Sequence, residues 1–190
     1  MLTNRKDIEK WLIENEITNF TIREDLTVNV EGDVKLHHKG LEYLPFQFNQ
    51  VSGHFWINNN ELMSLQGCPQ FVGGNFYCSK NHLMNLKGGP VIVLGGYYCY
   101  HNLLKTLEGA PVSIGGTFDC SNNYLVSLMG IPNYIRDEFR CDDNKGLDRL
   151  STSLIDYIEA ISVDSGHIIL SNKINEILSN SPNLKTEVIS

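Results

Sequence analysis

Four of the five cysteines recur at a spacing that raises the question of a metal site. They lie 21 residues apart, at Cys78, Cys99, Cys120 and Cys141. A zinc site needs four ligands in a tetrahedron. Cysteines that recur once per turn of a repeating chain would instead stack in a line, about 4.8 Å apart at parallel-strand spacing. The pattern therefore predicts small buried core thiols and neither a metal nor a catalytic role.

The glycine pairs and the histidines are the other residues to be considered for binding or catalysis. The glycine pairs recur in register and do not follow the phosphate-loop pattern, which favours a role in turns. The histidines at His54 and His101 fall in different repeats, about 10 Å apart from strand spacing alone, so they do not form an acid–base or metal pair. The sequence also shows no paired carboxylates and no Ser-His-Asp set. We therefore predict no enzyme activity and no cofactor.

The cysteines belong to a repeat that positions every other residue of interest. About six copies of Val-x-Gly-x-Phe-x-Cys-x-x-Asn-x-Leu-x-x-Leu-x-Gly-x-Pro run from residue 27 to residue 150 without an insertion. We call positions related by steps of 21 residues a column. A fixed short period of this kind indicates a solenoid in which each copy forms one coil. The asparagine column contains Asn60, Asn81, Asn102, Asn123 and Asn144.

Each column has a predicted role in the coil. The Phe and Cys positions alternate with polar residues, which is typical of a strand with one face on a core. The asparagine is expected to satisfy backbone groups and to tie each coil to its neighbour. Glycine suits close packing of coils, and proline favours an extended return path on the opposite side.

The centre of each copy, such as FYCSKNHLMNL, resembles the leucine-rich repeat consensus L-x-L-x-x-N-x-L-x-x-L, with an aromatic residue and a cysteine at the first two apolar places. The resemblance covers about two thirds of the chain. It implies a repeat solenoid of short leucine-rich-repeat-like coils with a parallel β-sheet on the concave face. Members of that family bind many different ligands, so the resemblance does not identify one.

The segments on either side of the coils are expected to cover the apolar ends of the solenoid. Residues 1–26 are predicted to form an N-terminal helical cap, because an apolar stripe that includes Trp11 recurs at helical spacing. Residues 151–190 are predicted to form a C-terminal cap of two short helices, and GHIIL between them fits one last strand. With the coils at 27–150, the chain is expected to form one continuous structural domain.

The residue before each cysteine is predicted to point away from the core, and its character changes along the chain. This column reads Lys35, Trp56, Tyr77, Tyr98, Asp119 and Arg140. Aromatic and arginine side chains dominate binding hot spots, so a row of aromatic residues that grades into charged ones indicates an interface. Stacked aromatic residues also stabilise neighbouring strands, and a purely structural ladder is the alternative.

The predicted partner-binding residues are His54, Trp56, Tyr77, Tyr98, Tyr100, His101, Asp119 and Arg140. We call the three rings of Trp56, Tyr77 and Tyr98 the aromatic strip. In the strip's middle copy the residues expected to remain free for a partner are Asn75, Tyr77, Ser79 and Lys80. The C-terminal cap is the other surface that could make the main contact.

Charge and hydropathy limit the class of partner. The net charge is −7 over 190 residues, and neither terminus carries a basic run. Binding to nucleic acid or to an anionic membrane is therefore not expected. No apolar run approaches the length of a transmembrane helix, and the first residues lack the apolar segment of a signal peptide. These features predict a cytoplasmic protein with a protein partner, and they leave the oligomeric state open.

The repeat GCPxxVGGxFxCSxNxL, preceded by a short helix and the entry segment LTVNVEGDVKL, is similar to small leucine-rich-repeat-like accessory proteins of T4-type tailed phages. That resemblance implies a non-enzymatic protein, made in the cytoplasm of an infected bacterium, that binds and inhibits a host protein through its concave face. Some such proteins neutralise defence toxins, including toxins that ADP-ribosylate DNA, and the resemblance suggests a partner of that kind.

Two other functions are weighed against this one. A structural role, as a scaffold or virion component, would be favoured by multimeric assembly or by an unprotected apolar edge. An enzyme such as a bacterial leucine-rich-repeat ubiquitin ligase needs a large C-terminal catalytic domain with a reactive cysteine. No cysteine follows residue 150, so this third function is the least favoured.

Overall fold

The protein is a β-solenoid of about five stacked turns with parallel sheets and one short helix. Its computed structural model describes residues 1–147 and 169–170. The helix α1 (Arg5–Glu14) begins at Asn4, whose side chain accepts a hydrogen bond from the Asp7 amide at 2.9 Å. This cap satisfies an amide that would otherwise have no partner in the first turn.

The strands are two to four residues long, which is the length that one side of a small coil allows. They are β1 (Phe20–Ile22), β2 (Val28–Val30), β3 (Val34–Lys35), β4 (Phe48–Val51), β5 (Phe55–Trp56), β6 (Phe71–Val72), β7 (Phe76–Tyr77), β8 (Ile92–Val93), β9 (Tyr97–Tyr98), β10 (Ser113–Ile114), β11 (Phe118–Asp119), β12 (Tyr134–Ile135), β13 (Glu138–Arg140) and β14 (Ile169–Leu170).

The strands form two seven-stranded sheets, and from β2 to β13 successive strands alternate between them. Sheet A has the order β1-β2-β4-β6-β8-β10-β12, and sheet B has the order β14-β13-β11-β9-β7-β5-β3. The hairpin of β1 and β2 is antiparallel, and the later pairs are parallel. Between β3 and β13 the paired residues are 21 positions apart, as in Phe55 with Phe76 and Val72 with Val93. The period in the sequence is therefore the register of the sheets.

The second sheet was not predicted. The sequence indicated one parallel sheet and a return path directed by proline, whereas the segments after the prolines pair with each other as sheet A. The strand formed by Phe71 and Val72 follows Pro69 closely and precedes two glycines. Two residues are too few to show the alternation by which a strand is recognised.

The helix predicted near the N-terminus is present as α1. Ile8 and Leu12 are buried, and the Trp11 ring packs edge-on against Phe46 with a centroid distance of 5.3 Å. The predicted C-terminal helices lie outside the described residues. The last strand expected at GHIIL is present as β14, which pairs in parallel with β13.

The core runs through the solenoid as stacked columns of identical or similar residues. In sheet B the buried aromatic column contains Phe55, Phe76, Tyr97, Phe118 and Phe139. In sheet A the buried aliphatic column contains Val30, Val51, Val72, Val93, Ile114 and Ile135. Both columns face the same core, and the cysteine and leucine columns fill the space between them. Each coil therefore buries its apolar side chains against its two neighbours.

The predicted asparagine ladder is confirmed. Asn102 is buried, and its amide nitrogen donates to the carbonyl oxygens of Cys78 and Cys99, both at 3.0 Å. Its side-chain oxygen accepts from the Leu83 amide, also at 3.0 Å. Asn123 makes the corresponding three bonds one coil later. Each side chain therefore joins two coils and satisfies backbone groups that have no strand partner.

A column of left-handed residues lies one position before the asparagine column, and its first member, His38, precedes Lys39. Their φ angles lie between 53° and 56°, and none of them is glycine. The left-handed region is unfavourable for most side chains, although Asn and Asp tolerate it best. The chain turns here so that the next residue can enter the core. The column consists of His38, Asn59, Lys80, His101, Asn122 and Asp143.

Candidate functional site

The cysteine column is buried in the core, as the sequence indicated. Cys78, Cys99 and Cys120 are each fully buried, and burial raises the pKa of each thiol. A raised pKa keeps these thiols protonated at neutral pH, so they are poor nucleophiles and poor metal ligands. Within residues 1–147 and 169–170, no cluster of three or more His, Cys, Asp or Glu side chains is arranged to hold a metal ion.

Tyr97 interrupts a column of phenylalanines with a buried hydroxyl group. Its ring is fully buried, and its pKa is raised, chiefly by burial and also by the nearby Cys78 thiol. Although that thiol is close, the hydroxyl makes no hydrogen bond of acceptable geometry with any described residue. A buried hydroxyl without a good partner costs about 1–3 kcal/mol.

Replacing Tyr97 with phenylalanine is therefore expected to raise the free energy of unfolding by about 1 kcal/mol, because the substitution removes an unpaired polar atom and keeps the ring. Urea denaturation measures the change. The matched control is Phe118→Tyr, which adds a hydroxyl to the same column and should destabilise the protein. A loss of stability in Tyr97→Phe would show that the hydroxyl has a partner in solution.

The aromatic strip lies on the outward face of sheet B. The Trp56 and Tyr77 rings are 5.5 Å apart and 2° from parallel, and the Tyr77 and Tyr98 rings are 4.8 Å apart and 8° from parallel. The Lys35 ammonium lies 5.7 Å from the Trp56 ring centroid and covers that end of the stack. Both faces of Tyr77 and one face each of Trp56 and Tyr98 are thus occupied by neighbouring rings, and the half-buried rings present their edges to solvent.

A ladder of side-chain hydrogen bonds runs beside the strip. The His54 amide donates to Asp33 Oδ1 at 2.9 Å, the Asn75 amide to His54 Nδ1 at 2.8 Å, and the Gly96 amide to Asn75 Oδ1 at 2.7 Å. The Asn75 side chain also donates to the Tyr77 hydroxyl at 2.7 Å. An accepting Nδ1 carries no proton, so the ring hydrogen of neutral His54 is on Nε2. His54 and Asn75 therefore help to position the strip.

Gly96 makes room for the last ring of the strip. A Cβ at this position would lie 2.7 Å from two atoms of the Tyr98 side chain, so any larger residue would displace the ring. Partial burial raises the pKa of Tyr98, and the neighbouring Tyr77 and Asp119 raise it further. The hydroxyl of Tyr98 therefore remains protonated at neutral pH and can donate a hydrogen bond to a partner.

The strip ends at Asp119 and Arg140 on the next two strands. Asp119 pairs in register with Tyr98 on one side and with Arg140 on the other. Glu138 binds the Arg140 guanidinium through two contacts of 2.7 Å and 2.6 Å, and these raise the pKa of Arg140. Since Glu138 compensates the arginine charge, the Asp119 carboxylate leaves this end of the strip acidic.

Tyr100 and His101 lie further along the coil than the strip. Their rings meet edge-on with a centroid distance of 5.6 Å. His101 is exposed in the left-handed turn, where it lines an open groove of about 340 Å³ together with Asn122, Asp143, Tyr124 and Lys145. The residues predicted to bind a partner thus divide into a row on sheet B and a pair at the turn.

Ser79 does not remain free for a partner, contrary to the sequence-based expectation. It is 1% exposed. Its small side chain lies in register between Asn58 and Tyr100 of the adjacent coils, and both of those side chains are larger. Lys80 is exposed, and Tyr77 and Asn75 are half-buried.

Comparison with known proteins gives no assignment for this site. The described part of the chain contains no helix that is long and apolar enough to cross a membrane. No protein-family model, no curated protein and no solved structure matches the chain.

Proposed function

We propose that the protein is a non-enzymatic binding module that captures a protein partner on the outward face of sheet B. The observation that carries this proposal is the aromatic strip, in which three ring edges are aligned across adjacent coils and end at an acidic carboxylate. Aromatic side chains that are half-buried on a fixed backbone lose little entropy on binding. The hydrogen-bonded ladder through His54 and Asn75 supports the same interpretation, because it holds the strip in place before a partner arrives.

The geometry of the strip favours a protein partner over a nucleic acid or a sugar. Bases and sugars bind aromatic residues through the ring faces. Here both faces of Tyr77 and one face each of Trp56 and Tyr98 are stacked on neighbouring rings, and Lys35 lies over the other face of Trp56. The net charge of −7 also opposes binding to phosphates. A protein surface can instead place apolar groups against the ring edges and a basic side chain beside Asp119.

The proposal extends to the cellular setting implied by the resemblance to T4-type phage accessory proteins. In that setting the coils are leucine-rich-repeat-like, helical caps cover both ends, and the strip lies on the concave face. The partner is a host bacterial protein such as a defence toxin, with a toxin that ADP-ribosylates DNA as the specific candidate. The protein would act in the cytoplasm of the infected cell by covering a surface that the toxin needs.

Replacing Trp56, Tyr77 and Tyr98 together with alanine is expected to weaken capture of the partner at least tenfold, because each central aromatic residue of an interface contributes about 2 kcal/mol or more. The measurement is affinity capture from bacterial lysate, with mass spectrometry to identify proteins that the wild type retains and the variant loses. Circular dichroism establishes that the variant remains folded.

The matched control replaces the exposed apolar residues Met63, Met84 and Val126 with alanine. These residues lie at another corner of the coils, so their loss should leave capture unchanged. If the strip is only a structural ladder, the strip variant loses stability and still retains the same proteins as the wild type. That result would contradict the proposed site and direct attention to residues 151–190.

A scaffold or virion component is the second candidate function. It is favoured by one observation, namely that sheet A also has an exposed outward face, which carries several apolar residues.

A further inference from the structure

The outward face of sheet A carries a cluster of aliphatic side chains at its centre. Val91, Ile92, Leu94 and Val112 are 48%, 44%, 54% and 59% exposed. They lie on or beside β8 and β10, next to the buried residues Val93 and Ile114. Alternation along the strand explains the exposure of Ile92 and Leu94 on either side of the buried Val93. A cluster of this kind on one face of a sheet indicates a contact surface.

This face is also free of charge, which is unusual on a protein with a net charge of −7. Residues 47–53, 68–74, 89–95 and 110–116 contain no Asp, Glu, Lys, Arg or His, and they form the sheet A side of four successive coils. The nearest ionised residues on this side are Glu31, after β2, and Arg136, after β12, at the two ends of the face. Amides and hydroxyls such as Gln50 and Ser113 flank the aliphatic centre. An apolar centre with an uncharged polar border resembles the anatomy of protein interfaces.

We propose that this uncharged face of sheet A binds a second copy of the chain. An unlike partner is usually selected by opposite charge, and this face offers no charge by which to select one. A second copy requires no such selection, because the same face meets itself across a two-fold axis. Two acidic molecules that approach by their other faces repel each other, whereas contact through this face removes no ionised group from water.

The repeat makes the face self-complementary. The strands of this face are about 4.8 Å apart in both copies. A two-fold axis near Ile92 therefore aligns the strands of one copy with the strands of the other. The axis would place the Phe71 side of one copy against the Ser113 side of its partner. Four short strands provide a few hundred Å² per copy, less than the roughly 800 Å² of a standard interface. We therefore expect a reversible dimer that dissociates at micromolar concentration.

Sedimentation equilibrium of the full chain, from about 1 µM to about 500 µM, tests the proposal. The average mass should rise from 21.5 kDa towards twice that value. Ile92→Glu places two carboxylates at the axis and should weaken dimerisation at least 100-fold. The matched control is Met63→Glu, which adds the same charge at a residue that is 75% exposed outside this face and should leave dimerisation unchanged.

A second measurement does not depend on the folding of the glutamate variant. The native cysteines are buried, so Ile92→Cys provides an exposed thiol on the face. Two such thiols should react with one bis-maleimide linker of about 10 Å, the distance between packed sheets, and Met63→Cys should not cross-link. A wild type that stays monomeric over the whole concentration range, or equal effects of the two glutamate variants, would overturn the proposal. A different protein would then be the occupant of this face.

Discussion

Asn102→Ala is expected to lower the free energy of unfolding by about 4 kcal/mol. The substitution leaves the Leu83 amide without a partner and removes one hydrogen bond from each of the carbonyl oxygens of Cys78 and Cys99, which keep the bonds that Asn81 and Asn123 donate. An unsatisfied buried amide costs about 1–3 kcal/mol, and each lost hydrogen bond costs about 1 kcal/mol. A small domain is stable by only about 5–15 kcal/mol, so this loss should bring the solenoid close to unfolding at room temperature.

The measurement is urea denaturation followed by circular dichroism. Asn102→Asp separates the roles of the two side-chain atoms, because the carboxylate can accept from Leu83 but cannot donate to two carbonyl oxygens. It should be at least as destabilising as alanine. The control is Asn133→Ala, at an exposed asparagine outside the ladder, where the change should stay within about 0.5 kcal/mol. A loss below 1 kcal/mol for Asn102→Ala would mean that water replaces the amide in the core.

The features of the fold that the sequence predicted are those that repeat in register. The asparagine column was identifiable because a buried polar residue in every coil has few roles other than satisfying the backbone. The left-handed column was missed, although Asn59, Asn122 and Asp143 have the side chains that such a turn tolerates best. His101 and Lys80 occupy the same column and carry no such signal. Because residues of different types share this backbone conformation, the column shows no sequence pattern that would predict the turn.

The outward faces show why a surface is harder to predict than a core. Trp56, Tyr77 and Tyr98 were expected on adjacent strands, and their stacked rings follow from the register alone. The hydrogen bond from the Asn75 amide to His54 depends on side-chain rotamers and could not be predicted. Val91 and Ile92 are as apolar as core residues, so only the position of β8 in the coil shows that they are exposed.

The two outward faces can act independently because one core positions both. Ile92 lies on β8 in sheet A, and Tyr98 lies on β9, the next strand along the chain, in sheet B. Both side chains face away from the same buried columns. A second copy on sheet A would therefore leave the aromatic strip on sheet B accessible. A dimer would also present two strips to a partner, and simultaneous engagement of both would increase the overall affinity if the partner is itself multimeric.

Gly95→Ala is expected to cost about 3 kcal/mol, because the coils are in contact at this column. An added Cβ would lie 2.7 Å from the Gly74 carbonyl oxygen and 2.8 Å from its carbonyl carbon. The Gly95 amide also donates to that oxygen at 3.1 Å, so the backbone cannot move away without weakening a bond between coils. Overpacking against a rigid backbone costs about 1–3 kcal/mol, and loss of the hydrogen bond adds about 1 kcal/mol.

The last described copy supplies the comparison for this substitution. Asp137 occupies the same column, and its amide reaches the Gly116 carbonyl oxygen at 3.3 Å, whereas the corresponding bond from Gly95 to Gly74 is 3.1 Å. Among the described coils, a side chain thus occupies this column where the hydrogen bond between coils is longest. Asp137→Ala should change the free energy of unfolding by no more than about 0.5 kcal/mol, and Gly95→Val should cost more than Gly95→Ala. If Gly95→Ala and the wild type are equally stable in urea denaturation, the central coils can move apart as readily as the last one. Glycine would then not be required at this position for steric reasons.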